Sequence, residues 1–394
     1  FSGGLFTGSG EAETSSLSKF NGERWFNIGA GVQIGDDPGE LRSMVAWDHD
    51  LDGVPWLFVG GMFDTVPGAG NAFGAPYTNI AGWDPVNAVW DFDFNRDAFA
   101  PSPSLIGPDG PIYAMLPFDD TPDDDSDPLV LIVGGDFTSV NGGATPAANI
   151  AKLRFVPGVF GGGSWQWEAF AEPGGPTSGP VRALTIWDPP SYAQGEDDID
   201  LEPQLIVGGE FNQGIISYGL SDGDMPMIAW GNVPFDRGVD GAVYSLAVWD
   251  PPAESDEFDS DPALAVGGEF TDRGSNIAYF GNNIEVVGED ETDVLDWFPI
   301  GTGTNGPVYA VEALTPPAGF QFAFGTEGQL LYLGGDFSQA GGGAANNIAM
   351  WHHTDQAITQ VGWGVDGPVY AIELIADEEE RFAYGNPDYE TFPW

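Results

Sequence analysis

The stretch "LIVGGDF" at residues 131–137 runs from apolar residues into two glycines, an acid and a phenylalanine. Its core, G-G-x-F, occurs six times, at Gly3–Phe6, Gly60–Phe63, Gly134–Phe137, Gly208–Phe211, Gly267–Phe270 and Gly334–Phe337. A second element keeps the same phase and aligns without gaps: "GELRSMVAWD" (39–48), "GPIYAMLPFD" (110–119), "GPVRALTIWD" (179–188), "GAVYSLAVWD" (241–250), "GPVYAVEALT" (306–315) and "GPVYAIELIA" (367–376). A looser third element lies after the glycines, as in "NIAGW" (79–83), "NIAKL" (149–153), "MIAW" (227–230), the 275–280 region and "NIAMW" (347–351). A Trp- or Gly-bearing fourth segment follows, as in "GSWQWEAF" and "QVGWGVDG".

Each unit therefore carries about four short β-rich segments bounded by turn residues. Four strands per unit, six units and no helical period predict an all-β chain: one domain over 1–394, a six-bladed β-propeller of four-stranded blades. A ring of blades leaves only short, protected sheet edges. The glycine pair is expected where an apolar strand ends without room for side chains or with φ > 0. The following Phe is expected to return to the core between blades. At the chain's ends, "RFAYGNPDYETFPW" (381–394) matches "QFAFGTEGQLLYL" (321–333), the lead-in to a G-G-x-F strand. The ring is thus expected to close by pairing of the N- and C-terminal segments, unless the chain is a segment of a longer repeat protein.

The combination of N-I-A-x-W, G-P-V-Y-A-L-x-x-W-D and G-G-x-F resembles the kelch-type propeller repeats of secreted bacterial surface proteins. It is also similar to repeats of some cell-surface polarity markers. The resemblance spans nearly the whole chain and implies the fold; propellers host binding, scaffolding and catalysis alike, so it implies no one activity. The likeness of "GGDF" to the GG(D/E)EF signature of cyclic-dinucleotide synthases fails. Phe137 directly follows Asp136, so one acid is absent, and six copies do not suit one active site.

Composition bounds the partners. Apolar residues make up 42 % of the 394, with 14 Trp and 27 Phe, enough for a large core. The 58 Gly and 32 Pro punctuate short strands. The formal charge is −51, with only two lysines, Lys19 and Lys152. Such a surface repels phosphate, so nucleic acid and anionic membranes are poor partners, and no nucleic-acid partner or membrane insertion is expected. It is well solvated in salt, where screening relieves its self-repulsion. There is no Cys, hence no disulfide or thiolate chemistry. No apolar run approaches the ~20 residues of a membrane helix. The chain starts at Phe1 without a basic-then-apolar leader and reads as a mature or trimmed product, expected to be extracellular or at the cell surface.

The acid concentrates in the connections between the W-D element and the next G-G-x-F strand. The most ordered is "DHDLDG" (48–53): Asp48, Asp50 and Asp52 before Gly53 match the front half of a D-x-D-x-D-G calcium loop. It resembles the loops of integrin-type propellers; Trp56 stands where those loops carry a further acid, and Val59 where an EF-hand carries Glu. Asp125, Asp127, Asp259 and Asp261 are less regular candidates for the same Ca²⁺ role; the alternative is a solvated hairpin at 48–53 and charge relief in salt at the others. The acid within G-G-x-F is Asp136, Glu210, Glu269 and Asp336 in four units, Leu5 and Met62 in two. It is expected to accept backbone N–H bonds from the next turn, the alternative being a ring of carboxylates near an axial channel that binds a metal.

The fourth position of the G-P-V-Y strand reads Arg42, Tyr113, Arg182, Tyr244, Tyr309 and Tyr370, a candidate axial ring for a carboxylate or a sugar, or Tyr rings packed between blades. Only His49, His352 and His353 are present; "WHH" at 351–353 is expected in a surface hairpin. No nucleophile, zinc or phosphate-loop motif occurs. The function expected is a non-catalytic structural, adhesive or protein-binding module, stiffened by Ca²⁺. Its partner would be a protein, the extracellular matrix or copies of itself. The alternative is an extracellular hydrolase or lyase acting on a polysaccharide or phosphate ester at the ring's axis.

Overall fold

The computed structural model describes residues 2–3, 5, 7–9, 12–13, 16–20, 24–66, 79–90, 107–120, 129–157, 163–170, 177–189, 192–194, 197–199, 203–219, 230–231, 238–249, 262–287, 290–314, 330–352 and 356–372. These residues are all-β, with no helix. Five antiparallel sheets of four strands recur in the sequence's own phase. The chain divides into two compact units: Phe1–Leu184 with Leu205–Asn212 and Ile216–Gly231, and Thr185–Gln204 with Gln213–Ile215 and Asn232–Trp394.

The first unit holds two complete sheets. One orders Glu40–Trp47, Trp56–Met62, Ile80–Asp84 and Val89–Trp90; the next orders Ile112–Phe118, Val130–Gly135, Ile150–Pro157 and Gly163–Ala169. A third, from Val181–Trp187, Gln204–Gly209, Ile215–Gly219 and Trp230–Gly231, has most of its residues there too. Ser2–Gly3, Leu17–Phe20 and Trp25–Asn27 form a sheet of three strands. The second unit holds the sheets Ala242–Trp249, Ala263–Glu269, Ile277–Val287, Asp290–Pro299 and Val308–Leu314, Leu330–Gly335, Ile348–His352, Ala357–Gln360.

The glycine pair is explained by two close approaches. In four pairs the first glycine seats the apolar residue near the start of the next repeat's G-P-V-Y segment. A Cβ on Gly134 would lie 2.4 Å from Val181 Cγ1, and one on Gly60 would lie 2.6 Å from Ile112 Cγ2. In the second unit, Gly267 meets Val308 at 2.9 Å and Gly334 meets Val369 at 2.5 Å. The second glycine lies under a carbonyl of its own repeat: a Cβ on Gly61, Gly135, Gly268 or Gly335 would fall 2.0–2.2 Å from the oxygen of Glu40, Pro111, Ala242 or Pro307. No side chain fits there. At the same place the ladder slips by one residue, between Leu41 and Ser43, Ile112 and Ala114, Val243 and Ser245, and Val308 and Ala310. Each slip is a β-bulge, and the bulged residue is the fourth position of the G-P-V-Y strand: Arg42, Tyr113, Tyr244 and Tyr309.

The phenylalanine of G-G-x-F turns into the core, as its position suggests. Phe63, Phe137, Phe211, Phe270 and Phe337 are all buried. The tryptophans of the W-D element, Trp47, Trp187 and Trp249, are buried as well, and Trp187 Nε1 donates to the Pro262 carbonyl at 2.8 Å.

The asparagine of N-I-A ties repeat to repeat. Asn79, Asn149, Asn276 and Asn347 sit in the left-handed region (φ +63° to +69°), which Asn tolerates better than most residues. Asn347 Oδ1 accepts the Phe337 N–H at 3.1 Å, while its Nδ2 donates at 3.1 Å to the Val365 carbonyl ahead of the next G-P-V-Y. Asn79 does the same with Phe63 and Pro108. Asn276 reaches the Thr304 carbonyl at 3.0 Å.

The sixth G-P-V-Y copy differs. Residues 367–372 form no strand, although Val369 is seated on Gly334 and its N–H donates to the Gly335 carbonyl at 3.0 Å. A strand needs a hydrogen-bonded neighbour along its length, and among the described residues this segment has only that one backbone bond.

Candidate functional site

The bulges decide which side chains leave the sheets. In the first unit Tyr113 lies between two guanidinium groups: the Arg182 Cζ is 3.8 Å and the Arg42 Cζ 5.5 Å from its ring centroid. Both arginines also hold carboxylates. Arg182 Nε bonds Glu210 at 2.8 Å, and Arg42 pairs with Glu40 at 2.8 Å. In the second unit the row is aromatic throughout. Tyr244 and Tyr309 lie 5.3 Å apart and tilted; Tyr309 and Tyr370 lie 5.0 Å apart and stacked, with planes 23° from parallel. Tyr244 Oη approaches Glu269 at 3.5 Å. Burial, then the neighbouring Tyr370, Asp336 and Glu269, raise the Tyr309 pKa. Each unit thus brings three of the six sequence-identified positions together.

The acid of G-G-x-F does not hold the next turn. Glu210 faces Arg182, and Glu269 faces Tyr244, whose bulge points it toward that acid. The residue ahead of G-P does that work instead. Asp109 Oδ1 accepts the backbone N–H groups of Thr138 and Ser139 at 2.8 and 3.0 Å, and its Oδ2 accepts both hydroxyls. Asp240 accepts the N–H of Thr271 and of Asp272, and Asn305 Oδ1 those of Ser338 and Gln339. Burial acts to raise the Asp109 pKa, but the bonds from Thr138 and Ser139 outweigh it and hold the carboxyl below its ordinary value. Asp240 is lowered as well, chiefly by the Thr271 backbone N–H. The signal was legible as a recurring Asp or Asn before Gly-Pro or Gly-Ala.

The 48–53 turn gathers its acids as the spacing suggests. One carboxylate oxygen from each of Asp48, Asp50 and Asp52 lies within 4.8 Å of the others. Gly53, at φ +84°, donates its N–H to Asp48 Oδ2 at 2.9 Å, and Asp52 Oδ1 accepts the Val54 N–H at 2.8 Å. Asp48 Oδ1 is buried and has no hydrogen-bond partner among the described residues. Between these acids, His49 points the other way, into an aromatic box. Its ring centroid lies 4.7 Å from Phe155, 4.9 Å from Trp56 and 5.2 Å from Trp165, the last stacked. Burial lowers its pKa against the opposing pull of Asp50, Asp48, Asp52 and Asp84. His49 lies in the bend just past the strand Glu40–Trp47, and the aromatic rings around it bury it while Asp50 and Asp52 are exposed.

Asp125, Asp127, Asp259 and Asp261 lie outside the described residues. The expected surface placement of "WHH" is corrected for His352. It ends a strand paired on both sides, opposite Leu330 and Ala357, and is buried. His353 is outside the described residues.

The second unit also carries a cavity of about 560 Å³ lined by Asn305, Asp336, Ser338, Asn346, Trp363 and Asp366 among others. Trp363 is 90 % exposed. It occupies the middle of a Gly-x-Gly turn closed by Gly364 N–H to Val361 O at 3.0 Å. The same turn recurs with Ala30 between Gly29 and Gly31 and with Thr302 between Gly301 and Gly303, so the turn itself does not require tryptophan.

No known protein family matches the chain, and no curated protein shows significant similarity to it.

Proposed function

We propose that the chain is a six-bladed, kelch-like β-propeller that works outside the cell as a non-catalytic binding module. One observation carries this reading. The same junction, an apolar side chain on the first glycine with an Asn bridge beside it, joins repeat to repeat at Gly60, Gly267 and Gly334. An operation repeated in one sense builds a ring when its rotation closes. The three-stranded sheet supplies the open place: it has a G-G-x-F strand at Ser2–Gly3 but no G-P-V-Y strand, and residues 367–372 have the G-P-V-Y sequence but no strand. In the register of the other repeats, Ala371 pairs with Gly3 and Ile372 with Ser2.

Nearly every recurrent residue is thereby used in chain geometry: glycines, asparagines, phenylalanines and the turn-holding Asp109, Asp240 and Asn305. Among the described residues, Arg42, Tyr370 and the turn at 50–53 are exposed and Tyr113, Arg182, Tyr244 and Tyr309 are half-buried, which suits presentation of loops and strand edges to a partner. A panel of polysaccharides and phosphate esters tests the catalytic alternative. No turnover is expected, and release of reducing ends or phosphate that tracks the purified protein overturns the non-catalytic reading.

Calcium belongs to this proposal at one place. Three clustered carboxylates suit a hard cation, and the buried, unpartnered Asp48 Oδ1 is the oxygen a ligand would satisfy. With Trp56 where a further acid would stand, the site belongs with weak extracellular modules, with Kd on the order of 10⁻⁴ to 10⁻³ M.

A further inference from the structure

The two units treat the same positions differently, and the difference names a ligand. In the first unit Arg182 binds Glu210, the acid of its own G-G-x-F, while lying on the Tyr113 face, and Arg42 binds its neighbour Glu40; the exposed Asp136 has no arginine partner among the described residues. In the second unit the corresponding acids are Glu269 and Asp336, and the fourth positions are Tyr244, Tyr309 and Tyr370. No arginine stands in that row. Arg273 is the one basic residue among the second unit's described residues, and it is held by Asp272 at 3.6 Å and the Gly238 carbonyl at 3.1 Å.

We infer that the outer end of the Tyr244–Tyr309–Tyr370 row, with Asp336, is a seat for an arginine side chain of a partner protein, which would lie on the exposed Tyr370 ring with Asp336 as acceptor, the combination of ring and carboxylate that Arg182 has in Tyr113 and Glu210. Aromatic faces attract a guanidinium, and a carboxylate beside them accepts its N–H groups. Tyr309 packs against Tyr244 and Tyr370, so the open ring is that of Tyr370, 67 % exposed, and with the acceptor oxygens it matches a group that only donates. Arginine fits better than lysine because its flat guanidinium stacks on a ring while bonding in its plane. Asp336 also lines the cavity of about 560 Å³ whose wall includes Trp363 and Asp366, so a ligand at Asp336 has space and further aromatic and acidic surface beside it. The chain's charge of −51 draws any basic segment toward it; the row supplies the selection.

This inference deepens the proposed binding role by naming the partner's chemistry. The test titrates the full chain with acetyl-arginine amide by calorimetry at low salt, with acetyl-citrulline amide as the neutral isostere. Arginine is expected to bind and citrulline not. Asp336→Asn and Tyr370→Ala are each expected to weaken arginine about fivefold, while Asp37→Asn, an exposed acid of the first unit, leaves it unchanged. A second arm opens the internal counterpart: Arg182→Ala should gain an additional arginine site at Tyr113 and Glu210. Equal binding of citrulline, no binding of arginine, or equal losses in Asp336→Asn and Asp37→Asn overturns the inference, the last by assigning the effect to overall charge. A cross-link test of ring closure is independent of all these outcomes, so the two readings fail separately.

Discussion

Val181 occupies the space that a side chain on Gly134 would need: a Cβ there would lie 2.4 Å from Val181 Cγ1. Two strands of consecutive repeats therefore approach more closely than any other residue type allows. Gly134→Ala is expected to destabilise by about 1–3 kcal/mol through overpacking. Gly343→Ala is the control, since its nearest neighbour is Ala340 O at 3.8 Å and its φ is not positive; it should be neutral or stabilise by about 0.4–1 kcal/mol. Chemical denaturation of both variants checks this. Equal midpoints would remove the glycine seat as the junction's determinant.

Asn347 joins three features in one residue: a left-handed backbone, an acceptor for Phe337 N–H and a donor to the Val365 carbonyl. Asn347→Ala loses both side-chain bonds and strains the backbone, at a cost of about 2–4 kcal/mol. Asn347→Asp keeps the acceptor and loses the donor, so it should fall in between. The order wild type, Asp, Ala in unfolding midpoint is the expected result.

Asp109 links pH to stability. Its folded pKa lies below the unfolded value, so its contribution is fully present above about pH 4 and is lost as the pH falls through the folded pKa. Asp240 acts in the same direction. Asn305 shows that an amide can hold the same turn without titrating. The Asp109→Asn/Asp240→Asn double variant should therefore lose stability less steeply than wild type between about pH 5 and pH 2. Thermal melts across that range, compared as differences, provide the check. Parallel curves would count against these two carboxylates.

The proposed calcium turn predicts a gain of about 1.4 kcal/mol at about 10 mM Ca²⁺ if Kd is about 1 mM. The melt is run at fixed ionic strength with Na⁺ as control, and Asp52→Asn should abolish the gain. An equal rise in Na⁺ would assign the effect to charge screening.

Much of this was legible from residue types that have few alternatives. Glycine pairs and buried Phe after them mark strand ends, and the structure gives both their expected places. The bulge was not legible, because its residue is Arg in one repeat and Tyr in others. Only the backbone slip between Ile112 and Ala114 reveals why Tyr113 projects. The turn-holding acid was misassigned within G-G-x-F because Asp109 is remote from Thr138 in sequence and meets it only through the fold. Hydropathy gives no sign that His49 and His352 are buried; an aromatic box buries the first and strand pairing on both sides the second.

Ring closure is the central claim, and the absence of native cysteine makes it directly testable. In the register of the fifth repeat, where Ala310 pairs with Gly334 and Val311 with Leu333, Ile372 is expected opposite Ser2. The Ser2→Cys/Ile372→Cys variant, oxidised under native conditions, should form an intramolecular disulfide and migrate as a looped chain without reductant. Glu312→Cys/Tyr332→Cys, a pair already opposed within one sheet, is the positive control. Cross-linking of both pairs is the predicted result. A control that cross-links while the Ser2/Ile372 pair stays reduced, or bridges only between molecules, would contradict the closed propeller.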